Sequence, residues 1–310
     1  MEILASTVAA AVRSGTPLLY ATLGEIITER SGVMNLGLEG LMLIGAITGF
    51  VGAYMFQNPF IALALALLVG AVLSSLHAFV VITLRANQVV SGLALTMLGT
   101  GVSGLVGRRY IGEVAVRFKE IKIPFLSDLP FLGKCVFSHD LLVYLSMALT
   151  VAIYVFLFKT KAGMALRAVG EEPSAADSRG INVFAVRYLA TIIGGAITSV
   201  GGAYLSLAYT SMWIENMSAG RGWIAIALVI FSAWGPFKGM IGSYLFGGVM
   251  AVQLRLQAGG KVTVSSNLLM MLPYVITLVT MVLFSLSRKF RKGLGAPAAL
   301  GTAYSREEKT

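Results

Sequence analysis

Residues 262–287, VTVSSNLLMMLPYVITLVTMVLFSLS, lie between Lys261 and Arg288 and hold twenty-six residues in a row without a formal charge. About 20 apolar residues carry a helix across roughly 30 Å of hydrocarbon, where every backbone N–H must find its partner within its own segment. This stretch is the last of several along the chain, so the protein reads as an all-α integral membrane protein. Its function must be sought in what crosses or sits within a bilayer.

Composition agrees. The 310 residues are 57% hydrophobic and 12% charged, with 35 glycines and a mean hydropathy of +0.83. Glycines let membrane helices approach closely. The net charge of +10 is spread through short loops and a tail, which fits basic membrane loops better than a nucleic-acid face. One cysteine, Cys135, and two histidines, His77 and His139, exclude a disulfide framework and a zinc cluster of ordinary spacing. The N-terminal stretch, with Arg13 and Pro17 inside its apolar run and no basic leader, reads as a retained segment rather than a cleaved signal.

Charge-poor windows at 3–23, 33–56, 60–84, 88–106, 141–158, 188–209, 222–237, 239–254 and 264–287 make nine candidate segments in a single transmembrane domain over 1–310. Arg288, Lys289, Arg291 and Lys292 follow the last one, so the tail 288–310 is assigned to the cytoplasm by the positive-inside rule. Counting back places the basic 159–187 segment inside as well. The 107–140 loop then falls outside despite six basic residues (Arg108, Arg109, Arg117, Lys119, Lys122, Lys134), a conflict in which the two inside regions outvote the third. The windows 222–237 and 239–254 have 16 residues each, about 24 Å of helix, and are interrupted by glycine or proline. Short, broken segments are what transporters place around a central pathway. Small residues recurring every fourth position (Gly92, Thr96, Thr100, Gly104; Thr191, Gly195, Ser199, Ala203) predict close helix packing. Trp213, Trp223 and Trp234 read as interfacial belt residues.

Gly99 to Gly104 fits G-x-G-x-x-G but lies inside an apolar helix with no preceding strand, so packing explains its glycines. No P-loop pattern occurs, and any ATP-driven step belongs to another polypeptide. In the inside segment, Glu172-Pro173 signals a helix start and Gly180 an αL stop, giving a helix of about two turns that needs a partner surface.

Five ordered blocks, SGVMNLGLEGLMLIGA (31–46), LRANQVVSGLALTMLGTG (84–101), ALRAVGEEPSAADSRGI (165–181), ALVIFSAWGPFKGMIGSYLFGG (227–248) and MLPYVITL (271–278), resemble the permease subunits of bacterial ABC importers. The likeness is nearest to nucleoside uptake systems served by basic-membrane-protein-type lipoproteins, and extends more distantly to ribose and branched-chain amino acid permeases. The resemblance implies the larger-importer (type II) permease fold, a polytopic helical bundle of about 8–10 transmembrane helices in the bacterial cytoplasmic (inner) membrane. It implies a coupling helix carried by Glu171, Glu172, Pro173, Ser174, Ala175, Ala176, Arg179 and Gly180. It also implies three partners: a paralogous permease, a cytoplasmic ATP-binding subunit that holds ATP and Mg, and an extracytoplasmic binding lipoprotein. No catalytic residue, metal or cofactor is expected in this chain.

Polar side chains in apolar spans are the candidates for a substrate path: Asn35, Glu39, Asn87, Gln88, Ser91, Thr96 and Gln253. A charge or amide at membrane depth is costly and turns toward a cavity or a partner. Glu39 is the leading one, against the alternative that it only pairs with Arg30 or Arg13. The expected function is import of nucleosides or related purine-like solutes. Riboflavin, a sugar or a branched-chain amino acid is the nearest alternative, and an ion-coupled carrier or channel is the alternative of another class, disfavoured by the lack of acids and histidines suited to a proton relay.

Overall fold

The computed structural model describes residues 2–122, 127, 132–258, 268, 271–276, 278–279, 282 and 295–306. Most of the 264–287 stretch and the basic cluster after it lie outside the described residues, although 271–276 are helical. Eleven named helices carry the described fold: α1 Glu2–Arg30, α2 Leu38–Phe56, α3 Pro59–Ala78, α4 Gln88–Gly107, α5 Leu132–Val136, α6 Leu141–Lys159, α7 Lys161–Glu171, α8 Pro173–Ser178, α9 Val183–Tyr204, α10 Arg221–Phe231 and α11 Pro236–Ala258. Single π turns prolong α3 (Phe79–Thr83) and α9 (Leu205–Tyr209). Two three-residue strands, β1 Glu120–Lys122 and β2 Ser138–Asp140, pair antiparallel beyond the end of α4. Among the described residues five helices, counting the two π extensions, are long and apolar enough to cross a membrane.

Local chemistry sets several of the helix starts. The side chains of Asn58, Asp140 and Asn182 each accept backbone N–H groups in the first turn of the following helix, and Pro59 and Pro173 stand at first helical positions. An N-cap of this kind is worth about 1 kcal/mol, and proline costs nothing where the N–H has no intrahelical partner.

The centre of the bundle is α9, which touches α1, α2 and α3 through small residues. Gly194 faces Gly24 and Thr28 of α1, Gly195 faces Ser74 of α3, and Gly202 faces the backbone of Met42 in α2; a methyl group at any of these three positions would collide. The Thr191, Gly195, Ser199, Ala203 row is therefore a packing face as expected, with Ser199 donating to the Ala66 carbonyl at 2.8 Å. On α4 the expectation holds in part. Gly92 lies on the Leu36 backbone and Thr96 bonds the Leu36 carbonyl, whereas Thr100 faces a cavity and Gly104 meets only Glu215 Oε1 at 3.5 Å; outside that row, Gly99 lies on Gly40 and Gly101 meets nothing within 4 Å.

Two expectations are corrected. The segment expected at 239–254 is not short: α11 has 23 residues and runs through both Lys238 and Arg255. Of these two segments α10, with 11 residues, is the one too short to span, about 16 Å long at 1.5 Å per residue. The break between them is real, a turn in which Ala233 and Trp234 take φ of 51° and 55° before Pro236 opens α11. Nor are all three tryptophans interfacial. Trp213 and Trp234 are 2% and 3% exposed and belong to the core, Trp234 donating to Glu29 Oε2 at 2.5 Å, while Trp223 is 38% exposed.

The bundle has two distinct ends. Ala5 of α1 lies by Cys135, and Arg13 pairs with Glu120 at 2.9 Å, so the start of α1 stands beside the 108–140 elements. Its other end, at Arg30, packs against Gly170 of α7. The helical segments α7 and α8 therefore sit at the end of the bundle away from the strands.

Candidate functional site

Glu39 occupies the first turn of α2 and is 5% exposed. Its Oε1 accepts from the Ser218 hydroxyl at 2.5 Å and from the Gly220 N–H at 2.8 Å, and its Oε2 accepts from the Gly222 N–H at 2.7 Å. Gly220 and Gly222 frame the N-terminus of α10, where unpaired N–H groups and the helix dipole favour an anion. Glu39 thus ties the loop between α9 and α10 to the start of α2. The ion pair with Arg30 or Arg13 does not form. Arg30 donates to the Ala233 and Trp234 carbonyls, and Arg13 is engaged by Glu120.

Beside this junction lies a cavity of about 640 Å³. Glu39, Thr96 and Thr100 line one side, and Asn216, Arg221 and Trp223 another. Gln253 and Gln257 of α11 and Tyr274 of the last helical segment close it. Arg221 donates to the Met217 and Ser218 carbonyls and stands over the Tyr209 ring at 6.0 Å, so its charge is spent on the loop it follows. The Tyr274 hydroxyl donates to the Ala219 carbonyl at 3.1 Å. Side-chain amides, two threonine hydroxyls and two aromatic faces around this volume suit an uncharged polar molecule with a ring, within the ~300–1,000 Å³ usual for small-molecule sites.

Of the seven path candidates, Glu39, Thr96 and Gln253 line this cavity and four do not. Asn87 caps α4, its side chain accepting from Val89 and Val90 N–H. Asn35 Oδ1 accepts from Gly37 N–H at 2.8 Å, and its own N–H donates to Glu25 Oε1 at 2.9 Å. Gln88 Oε1 accepts from Met34 N–H at 2.7 Å, and Ser91 bonds the His77 ring at 2.9 Å. Asn35 and Gln88 thus satisfy the buried backbone of the 31–37 turn, where an unpaired polar group would cost about 1–3 kcal/mol, whereas Asn87 caps the exposed start of α4 and Ser91 holds the His77 ring. Thr96 also serves that turn, donating to the Leu36 carbonyl at 3.1 Å. Asn216, Trp223, Gln257 and Tyr274 were not expected. The available signal was Trp223 two residues into the short α10, read instead as a belt residue. Glu25 and Glu29 are buried on α1, bonded to Asn35 N–H and Trp234 Nε1, and neither lines the cavity.

At the opposite end, the helix expected from Glu172 to Gly180 is present. Pro173 is its first residue, and Gly180 ends it at φ +83°, a conformation that glycine adopts without strain. Glu171, Glu172, Ser174, Ala175, Arg179 and Gly180 are exposed and Pro173 partly so. Ala176 faces inward, 4% exposed among Val169 and Val183. It therefore belongs to the chain's own packing, and the exposed face of the helix is carried by the others.

Residues 7–284 match the family described as branched-chain amino acid transport system / permease component. A putative glucose ABC transporter permease of Haloferax volcanii is 38% identical over 99% of this chain and 99% of its own length. A guanosine ABC transporter permease of Bacillus subtilis is 34% identical over 97% and 98% of the two chains. A nucleoside ABC transporter permease of Lactococcus lactis is 34% identical over 87% and 89%. No solved structure matches the chain.

Proposed function

The chain belongs to the family of branched-chain amino acid transport system permease components, and from that premise we propose that it is the permease subunit of an importer whose solute is a nucleoside. The cavity beside Glu39 carries the reading. Amides at Asn216 and Gln253 offer both donors and acceptors for a base edge or ribose hydroxyls, and Trp223 and Tyr274 offer faces for a planar ring. The guanosine and nucleoside permeases among its relatives support the same choice. A sugar is the second reading, favoured by the 38% identity to the putative glucose permease.

The chain holds no nucleotide motif of its own, and ATP and Mg belong to a cytoplasmic ATPase that docks on the exposed face of α8. A paralogous permease and an extracytoplasmic binding lipoprotein complete the assembly in a bacterial cytoplasmic membrane, with 107–140 outside and 159–187 inside. Glu39 holds one wall of the path and Thr96, Gln253 and Trp223 touch the solute. Uptake of labelled guanosine, adenosine, glucose and leucine by cells with and without this gene tests the proposal. Loss of nucleoside accumulation alone is expected. Loss of glucose accumulation with nucleosides unaffected selects the sugar reading, and no change in any solute refutes both.

A further inference from the structure

Residues 295–306 return to the α7–α8 end of the bundle and run across it. The Ala299 N–H donates to the Gly170 carbonyl at 2.9 Å, and the Gly301 N–H donates to the Gly32 carbonyl at 3.1 Å. Arg187, 2% exposed near the start of α9, donates through Nη1 to the Thr302 carbonyl at 2.9 Å. Tyr304 then covers Val169, Ala176 and Val183 and leans on the Phe184 ring at 5.7 Å. Finally Arg306 takes both oxygens of Asp177 on α8 at 2.9–3.3 Å, which holds the Asp177 carboxyl below its ordinary value. An exposed pair of this kind contributes little by itself. What fixes the segment is its backbone pairing, the acceptor it gives to one nitrogen of the buried Arg187 guanidinium and the tyrosine it seats.

The two anchor points matter because of what each belongs to. One is α8, with Ala176 under Tyr304 and Asp177 under Arg306. The other is Gly32, at the start of the 31–37 turn, and that turn is bonded to Gln88 and Thr96 and leads directly into Glu39 at the cavity. We propose that residues 295–306 are a strap that ties α8 to the 31–37 turn, so that displacement of α8 is delivered to the wall of the cavity. Gly170 adds a second contact along the same line, since its Cα lies on the Arg30 carbonyl. Coupling between distant sites needs such a contiguous, stiff element, and it needs a measured coupling to be accepted. The inference rests on the reading of α8 as the ATPase contact.

The test uses the complete transporter in proteoliposomes and measures solute taken up per ATP hydrolysed, together with amide exchange of α8. Gly301→Pro removes the N–H given to Gly32 and cannot adopt the φ of +78° found there. A chain ending at residue 294 removes the strap outright. The expected result is normal assembly, exchange of α8 amides accelerated about tenfold, and uptake per ATP lowered several-fold while hydrolysis continues. Unchanged uptake per ATP in assembled Gly301→Pro complexes overturns the strap, whether or not α8 exchange rises, and this variant decides the matter should the shortened chain fail to assemble. A segment that only stabilised the fold would lower yield and leave the ratio unchanged, which also overturns it. Ala175→Arg, on the exposed face of α8, separates the two ideas. Normal coupling in that variant removes the ATPase-contact reading itself, whereas defective Ala175→Arg with normal Gly301→Pro removes the strap alone.

Discussion

Replacing Glu39 by Gln keeps its volume and exchanges one oxygen for an NH₂ group in a place where three donors converge. If the amide nitrogen takes the Oε2 position, the Gly222 N–H at 2.7 Å loses its acceptor; in the other orientation Ser218 and Gly220 both lose theirs. The gentler outcome forfeits one hydrogen bond to a charged acceptor, about 1.5–3 kcal/mol, and leaves a buried N–H unpaired at a further cost of ~1–3 kcal/mol. Removing a negative charge from the N-terminus of α10 adds ~0.3–1 kcal/mol. About 3 kcal/mol is the low end of the sum, and at ~1.4 kcal/mol per tenfold it loosens the 216–222 loop by roughly 100-fold. Amide exchange of Gly220 and Gly222 in the purified transporter should accelerate by that order, and uptake per assembled complex should fall as the cavity wall yields. Ser218→Ala alone removes one bond, and the cycle with Glu39→Gln should return a coupling of ~0.5–3 kcal/mol for residues in contact. Exchange at 220–222 altered by less than about threefold, with zero coupling to Ser218, would refute the anchoring role.

The glycines of the 99–104 stretch should separate by position. Gly99→Val sets a branched side chain against the Gly40 backbone and should cost ~1–3 kcal/mol through overpacking. Gly101→Ala, with nothing within 4 Å, should instead stabilise α4 by up to ~1 kcal/mol; thermal unfolding of the detergent-purified protein reads both signs. Cysteines placed at Glu113 or Ser127 in a Cys135→Ser background should react with an impermeant thiol reagent in intact cells, and labelling only after the membrane is opened would reverse the assigned orientation.

The helices were legible where local signals coincide with a change in polarity. Glu172-Pro173 and Gly180 mark the two ends of α8, which capping chemistry explains residue by residue. The full length of α11 was hidden because Lys238 and Arg255 bound its charge-free window, yet the helix passes through both, and Arg255 finds the Ser6 and Thr7 hydroxyls of α1. Position along a chain does not reveal such a partner. The same limit explains the site. An amide in an apolar run looks alike whether it bonds a ligand or its own backbone, so Asn35, Asn87 and Gln88 stood beside Gln253 although only Gln253 reaches the cavity. Asn216 and Tyr274 come from a loop and a distant helix that only the assembled bundle brings to Glu39. The inward turn of Ala176 depends on Val169, Val183 and Tyr304, three residues from three different segments.

The proposed path of the solute is the cavity between α4, α10 and α11. Gln253→Cys in a Cys135→Ser background, in a transporter that still accumulates nucleoside, places a thiol in its wall. The rate of modification by a small water-soluble thiol reagent, measured with and without saturating guanosine together with its binding lipoprotein, reads occupancy of that space. The account predicts that guanosine slows modification at least severalfold and that leucine does not. An unchanged rate in a transporter that continues to accumulate guanosine would contradict it.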